Sequence, residues 1–248
     1  MGVVDKSVIE QMDWERKSAP EIIRWAIECF GDRVALASSF GAEDVAIIHM
    51  MVQVTRKPRI FTLDTGRLNQ ETYDVMDKIR EQYGVAIEVM FPKAEAVEQM
   101  VRGKGLNLFY HSVENRRLCC NVRKVEPLNR ALASLGAWIT GLRRDQVVTR
   151  AAVKKVEIDQ DHGGIVKINP LADWTWEQTM AYVKGNRVPY NVLHDRGYPS
   201  IGCEPCTRAL KPGEDLRAGR WWWERPEQKE CGLHVSPHNA MQPPRGRR

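Results

Sequence analysis

Long apolar runs are missing from this chain of 248 residues. Stretches such as Val34–Ala37 and Val45–Ile48 fall far short of the roughly 20 residues that a membrane-spanning helix needs. The opening MGVVDKSVIEQMDWERK has no apolar core of the kind a secretory signal requires. No internal repeat is present. With 43% hydrophobic and 28% charged residues, the composition excludes disordered, collagen-like and disulfide-miniature classes. Cysteine is sparse, six in the whole chain. Without a secretory signal, that pattern reads as thiols for metal or redox chemistry in a soluble, cytoplasmic protein. Charge of both signs is well mixed, which argues against a nucleic-acid-coating role. The formal net charge is +5, with a basic excess concentrated from Arg208 onward, so an anionic ligand or partner is expected.

What is present is an alternation of two periodicities. Ser18-Ala-Pro-Glu21 is a capping-box pattern that opens an apolar-periodic helix running to Phe30, with Gly31 as its stop. Arg33–Phe40, Arg59–Asp64, Val85–Phe91 and Ala137–Leu142 read as strands. Between them, Glu43–Val54, Asn69–Tyr83, Pro92–Arg102 and Glu114–Leu135 read as helices. This order implies right-handed βαβ units and an α/β fold with a doubly wound, mostly parallel sheet. Val153–Ile158 and Ile165–Ile168 suggest a hairpin added to that sheet, and Thr175–Gly185 a further short helix. From Pro189 onward Pro and Gly recur. The organisation is therefore a helical lead-in over 1–30, an α/β domain over 31–200, and a loop-rich C-terminal extension over 201–248, ending in a disordered tail.

In an open α/β sheet, ligands bind beyond the carboxyl ends of the strands. Three segments fall there: Ser38-Ser-Phe-Gly-Ala-Glu-Asp44, Asp64-Thr-Gly-Arg67 and Gly141-Leu-Arg-Arg-Asp-Gln146. The first offers hydroxyls, a glycine and a helix N-terminus to a phosphate, although no Gly-Lys-Ser/Thr makes it a Walker A loop. The third supplies Arg143 and Arg144 as anion clamps. Singly, each is also the ordinary capping chemistry of a βα turn; together they point to a nucleotide site.

The cysteines narrow the chemistry. Cys119-Cys120 and Cys203-x-x-Cys206, separated by 82 residues, make a four-thiolate site, with iron–sulfur favoured over zinc because an adjacent pair is awkward for a zinc knuckle. A redox dithiol at Cys203 and Cys206 is the competing reading, and packing on a helix is the competing reading for Cys119-Cys120. Cys29 sits in an apolar helical pattern and reads as core. Cys231, near Arg220, Arg225, Lys229 and His234 in the sequence, reads as a nucleophile whose thiolate its cationic neighbours favour, or else as a free surface thiol. Arg217 and Arg220 would share a helix face and could grip one anion. Lys124 stands one helical turn beyond Cys120. Of Trp221-Trp-Trp223, at least one is expected in the core. His49, His111, His162, His194 and His238 have no ligand-like spacing and receive no role.

Taken together, the cysteine pairs, the terminal Glu230-Cys-Gly-Leu-His234, the Ser-Ser-Phe-Gly-Ala-Glu-Asp loop, Leu63-Asp-Thr-Gly66 and Thr140-Gly-Leu-Arg-Arg-Asp-Gln146 resemble the assimilatory adenylylsulfate reductases of bacteria, relatives of the phosphoadenylylsulfate reductases. The resemblance covers about residues 20–236. It implies an adenine nucleotide α-hydrolase-like, Rossmann-like fold and a [4Fe-4S] cluster on Cys119, Cys120, Cys203 and Cys206. It makes Cys231 the nucleophile that attacks adenosine 5′-phosphosulfate, releasing AMP and leaving an S-sulfocysteine from which thioredoxin liberates sulfite. Lys124, Arg217, Arg220 and the Arg143-Arg144 loop would hold phosphosulfate; Ser38, Ser39, Gly41, Asp44, Leu63 and Thr65 would line the adenosine and phosphate pocket; His234 would tune Cys231 or the thioredoxin encounter. A nucleophile this close to the C-terminus implies a mobile tail that closes over substrate. No nucleic acid or membrane partner is implied, and a homo-oligomer is compatible with the pattern.

The phosphate loop departs from the Ser-Gly-Gly-x-Asp-Ser form of the wider ATP-pyrophosphatase superfamily, which argues against ATP cleavage. Three rivals remain: an enzyme acting on the 3′-phosphorylated sulfonucleotide or on both, a zinc-bearing ATP-pyrophosphatase that thiolates tRNA, and a non-catalytic nucleotide-binding scaffold that leaves Cys231 unexplained.

Overall fold

The structure, a computed structural model, describes residues 9, 11–147, 150–225 and 233. Its first helix, α1 (Ala19–Phe30), is opened by the expected cap. The Glu21 carboxylate accepts from the Ser18 backbone N–H at 2.8 Å and from the Ser18 hydroxyl at 2.6 Å, and Gly31 closes the helix. The chain then alternates through β1 (Val34–Ser38), α2 (Ala42–Val54), β2 (Ile60–Leu63), α3 (Gln70–Tyr83), β3 (Glu88–Met90) and α4 (Ala94–Lys104). It continues with α5 (Val113–Cys120), α6 (Glu126–Leu132), β4 (Ala137–Ile139), β5 (Val156–Asp159), β6 (Ile165–Ile168) and α7 (Trp176–Gly185).

The sheet order is β3-β2-β1-β4-β6-β5. β1 runs parallel to β2, with Leu36 opposite Ile60, and parallel to β4, with Ala35 opposite Trp138. Only β5 is antiparallel, pairing with β6 as the expected hairpin. The order reverses between β1 and β4, so the loops leaving those strands diverge and open a crevice at their carboxyl ends.

Strand alternation builds two cores. Val34, Leu36, Ile60, Ala137 and Ile139 face one layer, with Ile22, Ile23, Ile47 and Ile79 of the helices. Ala35, Phe61 and Trp138 face the other, against Leu128, Ala131 and Leu132. Side chains one apart point to opposite faces, and a sheet covered on both sides needs apolar residues at every position. That is why β1, β2 and β4 read as near-continuous apolar runs. Each fully buried Ile, Leu or Phe contributes about 1.5–3 kcal/mol. α1 shares the first core through Ile22, Ile23 and Ala26. Cys29 packs against it from a half-buried position.

Three expectations need correction. The strand expected over Val85–Phe91 is hydrogen-bonded only over Glu88–Met90. The single helix expected over 114–135 is interrupted by a π-helical turn at Asn121–Val125. Pro127 explains it: with no N–H, it cannot bond the Arg123 carbonyl four residues back, so the hydrogen-bond ladder widens there. Arg217 and Arg220 lie in a turn rather than on a helix; the Arg220 N–H donates to the Arg217 carbonyl at 2.9 Å, and Arg220 forms an isolated antiparallel bridge with Thr207. Among the described residues, no helix is long and apolar enough to cross a membrane.

Trp138 is buried, and its indole N–H donates to Asp159 Oδ2 at 3.0 Å, an oxygen also 2.8 Å from His162 Nδ1. Replacing Trp138 by Phe leaves that carboxylate short of a donor and opens a void. Urea denaturation is expected to show a loss of about 1–3 kcal/mol for the missing donor alone, with an unchanged m-value.

Candidate active site

The loop after β1 is held by the carboxylate that follows it. Asp44, in the first turn of α2, accepts from the Ser39 N–H at 2.6 Å and from the Ser39 hydroxyl at 2.8 Å. Ser38 Oγ accepts from the Phe40 N–H at 3.1 Å. Phe40 is fully buried in a left-handed conformation, φ 57°, strain that the surrounding packing must sustain. Burial, then the neighbouring Glu43 charge, pushes the Asp44 carboxyl up to about 7, against the pull of the Ser39 hydrogen bonds.

The loop after β4 comes to meet this one. At Gly141 a Cβ would fall onto the Asp44 and Glu43 side chains, so only glycine allows the approach. Just beyond, the buried Arg143 donates from Nε to Glu43 Oε1 at 2.8 Å and pairs with Asp145. Gln146 donates to the same Glu43 oxygen at 2.9 Å. Arg144 points elsewhere. It pairs with Glu15 at 2.6 Å and donates to the Val153 carbonyl at 2.8 Å, and it does not line the crevice.

Ser38, Ser39, Gly41, Asp44, Leu63, Lys124, Arg143, Arg217 and Arg220 all line one cleft. Its floor is apolar, with Phe61, Leu63, Leu128 and Trp138; its walls carry Lys124, Arg217 and Arg220 beside the start of α2. Such a cavity suits an aromatic small molecule bearing negative charge. Thr65 departs from expectation. It is fully buried off the cleft, with Oγ1 3.3 Å from Cys203 Sγ, while Thr62 takes the position on the wall.

Glu43, Gln146, His194 and Leu233 also line the cleft without having been singled out as site residues in the sequence. Glu43 carried a signal, a second acid at a helix start inside a candidate anion loop. His194 carried none, being a lone histidine in a Gly/Pro-rich stretch. Its Nδ1 lies 2.7 Å from the Tyr198 carbonyl, and burial holds the ring below the ordinary histidine range. Leu233 packs on the cluster around Phe61, Leu128 and Trp138. Cys231, His234 and the expected closing tail lie outside the described residues.

Three of the four remaining cysteines come together, and the fourth, Cys120, adjoins Cys119 in the chain. Cys119, Cys203 and Cys206 pack in one cluster with Met100, Leu108, Phe109, Trp221 and Trp223, and Cys120 is buried next to Cys119. The Asp64-Thr-Gly-Arg67 loop braces the second pair: the Glu204 N–H donates to the Arg67 carbonyl at 2.9 Å, and Asn69 donates to the Gly202 carbonyl at 3.2 Å. All four are free thiols. Burial alone would raise Cys203, but the Lys124 ammonium, the Thr65 hydroxyl, Arg220 and Arg123 outweigh it and hold that thiol below the ordinary range. Cys206 is pushed up to about 11, by burial first and then by the Cys203 charge. Among the described residues no three His, Cys, Asp or Glu side chains converge on a point that one ion could occupy. Around the thiols, Arg123 Nε and the indole nitrogens of Trp221 and Trp223 are buried donors with no acceptor among the described residues. Trp221 is fully buried, as the sequence suggested for one of the three tryptophans, and Trp222 is exposed.

Comparison with known proteins agrees with this layout. A family model for the phosphoadenosine phosphosulfate reductase domain matches residues 33–209. The adenosine 5′-phosphosulfate reductase of Burkholderia cepacia is 56% identical over 205 residues, 83% of this chain and 82% of the relative. Among solved structures, the phosphoadenylyl-sulfate reductase of Candida auris in its phosphate complex superposes with a TM-score of 0.71 at 31% identity, covering 83% of this chain and 98% of that one. The FMN adenylyltransferase of Candida glabrata has a TM-score of 0.52 at 12% identity, over 90% of this chain and 80% of that one, a likeness of fold alone.

Because the Asp44 carboxyl sits at about 7 when folded, against an ordinary value of 3.8, folding favours its protonated form. The stability this contributes is present at low pH and lost as pH rises to about 7. The melting temperature of the wild type is therefore expected to fall relative to that of Asp44→Asn between about pH 4 and pH 7, and to stay level above; a pH-independent difference would contradict the shift.

Proposed function

The chain belongs to the phosphoadenosine phosphosulfate reductase family, and from that premise we propose that it reduces adenosine 5′-phosphosulfate to sulfite and AMP in sulfate assimilation. The relatives' names support the substrate. The observation that carries the proposal is the cleft itself. It gathers the Ser38–Asp44 loop, Leu63, Lys124, Arg217 and Arg220 around an apolar floor on which Leu233 rests, two residues along the chain from Cys231.

The roles follow from the chemistry. Phe61, Leu63 and Trp138 would cover the adenine, and Ser38, Ser39 and Gly41 would meet the ribose and phosphate. Lys124, Arg217 and Arg220 neutralise the phosphosulfate, which lets a thiolate approach an anion and stabilises charge developing on the departing phosphate. The Cys231 thiolate attacks the sulfur, the sulfur–oxygen bond to AMP breaks, and an S-sulfocysteine remains. A thiolate of thioredoxin attacks the Cys231 sulfur and sulfite leaves with the bonding pair; the second thioredoxin thiol resolves the mixed disulfide and regenerates Cys231. The two electrons come from the dithiol. His234 assists Cys231 or the thioredoxin encounter. A dithiol reductant of this kind works where thiols are kept reduced, which supports a cytoplasmic setting. Arg144, paired with Glu15, takes no direct part, and Arg143 shapes the wall.

Cys119, Cys120, Cys203 and Cys206 would hold a [4Fe-4S] cluster. Two features support the fit: unsatisfied buried N–H donors around the thiols, which sulfide can accept, and the packing of Cys119, Cys203 and Cys206 in one cluster, with Cys120 next in the chain to Cys119. When bound, such a cluster supplies an electrostatic and structural anchor beside Lys124, since the thiol chemistry needs no electron from it. The relatives' name, adenosine 5′-phosphosulfate reductase, favours the sulfonucleotide without a further phosphate.

Anaerobically purified protein is expected to carry about four irons per chain and to form sulfite from adenosine 5′-phosphosulfate faster than from its 3′-phosphorylated analogue. Cys231→Ser should abolish sulfite formation and keep the iron chromophore; retained turnover in that variant would sink the nucleophile assignment.

A further inference from the structure

Arg116 is completely buried, yet it does not line the cleft. Its guanidinium grips Glu224 through two hydrogen bonds, Nε to Oε1 at 3.0 Å and Nη2 to Oε2 at 2.8 Å. The two side chains are 1% and 2% exposed. A buried ion pair of this kind is weak evidence for stability, because two desolvated charges rarely outdo an apolar pair of equal volume. Its surroundings suggest another use.

Two further contacts converge on the same guanidinium. It lies over the Trp221 ring, 4.7 Å from the centroid, and it hydrogen-bonds the Cys120 side chain. Trp221 in turn carries the Arg220 guanidinium at 4.7 Å and that of Arg217 at 6.0 Å. Its backbone N–H donates to the Cys206 carbonyl at 3.2 Å, and its carbonyl accepts from the Glu224 N–H at 2.8 Å. Trp221 also has φ 41°, a left-handed conformation that a bulky residue does not adopt unless held. Arg116 therefore touches one cysteine pair directly, reaches the other through Trp221, and supports the ring on which the two cleft arginines stack.

We propose that Arg116 is a positioning residue of this site: pinned by Glu224, it holds Trp221 and Cys120 together, so that the grip of Arg217 and Arg220 on an anion is coupled to the state of the cysteine pairs. The proposal rests on the reading of the cleft and the thiols given above. Such coupling is reciprocal: what orders the thiols tightens anion binding, and a bound anion alters what the thiols hold.

Two variants test it in anaerobically purified protein, with AMP as the probe. Arg116→Lys keeps the charge but loses the planar fork and its stacking. The pair Arg116→Gln with Glu224→Gln removes both charges and strands neither. The expected result is wild-type iron content, a roughly 10-fold weaker AMP affinity, a KM for the sulfonucleotide that rises more than kcat falls, and loss of the change that AMP induces in the visible circular dichroism of the iron chromophore. Variants with unaltered AMP affinity and an unaltered AMP-induced spectral change, differing only in melting temperature, would show a merely structural role and overturn the proposal. Loss of iron at unchanged AMP affinity would also overturn it, because the two sites would then be independent. If the wild type itself holds no iron or binds no AMP, the functional reading falls and takes this proposal with it.

Discussion

The site depends on how closely two loops pass at the point where the strand order reverses. Gly141 leaves β4 against the Glu43–Asp44 turn that begins α2, at a distance no other residue tolerates. Everything around the crevice follows from that approach. Glu43 can reach Arg143 and Gln146 across the gap, and Asp44, sealed from water, bonds back to Ser39 and to the Gly41 backbone of its own loop. Of the other cations lining the cleft, Arg150 bonds Gln146 of this clasp, while Lys124, Arg217 and Arg220 come from segments outside it. The frame and the binding charges are thus separate parts of the chain.

Much of this was legible from the sequence where period and packing agree. β1, β2 and β4 are buried on both faces, so their apolar runs announced them. For β3 the apolar pattern extends over Val85–Phe91, because Val85 and Ile87 pack on the core, while the hydrogen-bonded strand is only the exposed edge Glu88–Met90. Apolarity reports burial and not ladder membership. The π-helical turn leaves one trace in the sequence, Pro127, inside an otherwise continuous helical pattern. Arg143 and Arg144 are indistinguishable as letters, and only the neighbours that fold against them, Glu43 for one and Glu15 for the other, send them to different sides.

Thr65 and His194 mark the two ways in which a site escapes a sequence reading. Thr65 sits in the right loop, but it serves the thiol beneath rather than the cleft above, because a strand end has two sides and a motif does not say which residue faces which. His194 reaches the cleft from a segment with no recognisable pattern, by tertiary packing alone. The cysteines were the easier case: adjacency and spacing already implied a shared site, and the fold brings Cys119, Cys203 and Cys206 into one cluster across a separation that no local rule connects.

The π-helical turn at Asn121–Val125 has a consequence for the helix as a rotating object. One extra residue in a turn advances the phase of everything after it by about 100°. The stretch before the turn directs Cys119 toward the thiol cluster, and the stretch after it directs Leu128 and Leu132 toward the sheet. A regular helix would lock those two faces to one another. The widened turn gives each its own setting, so the rod that supports the sheet also serves the thiols at a different azimuth, with Lys124 set at the joint between them.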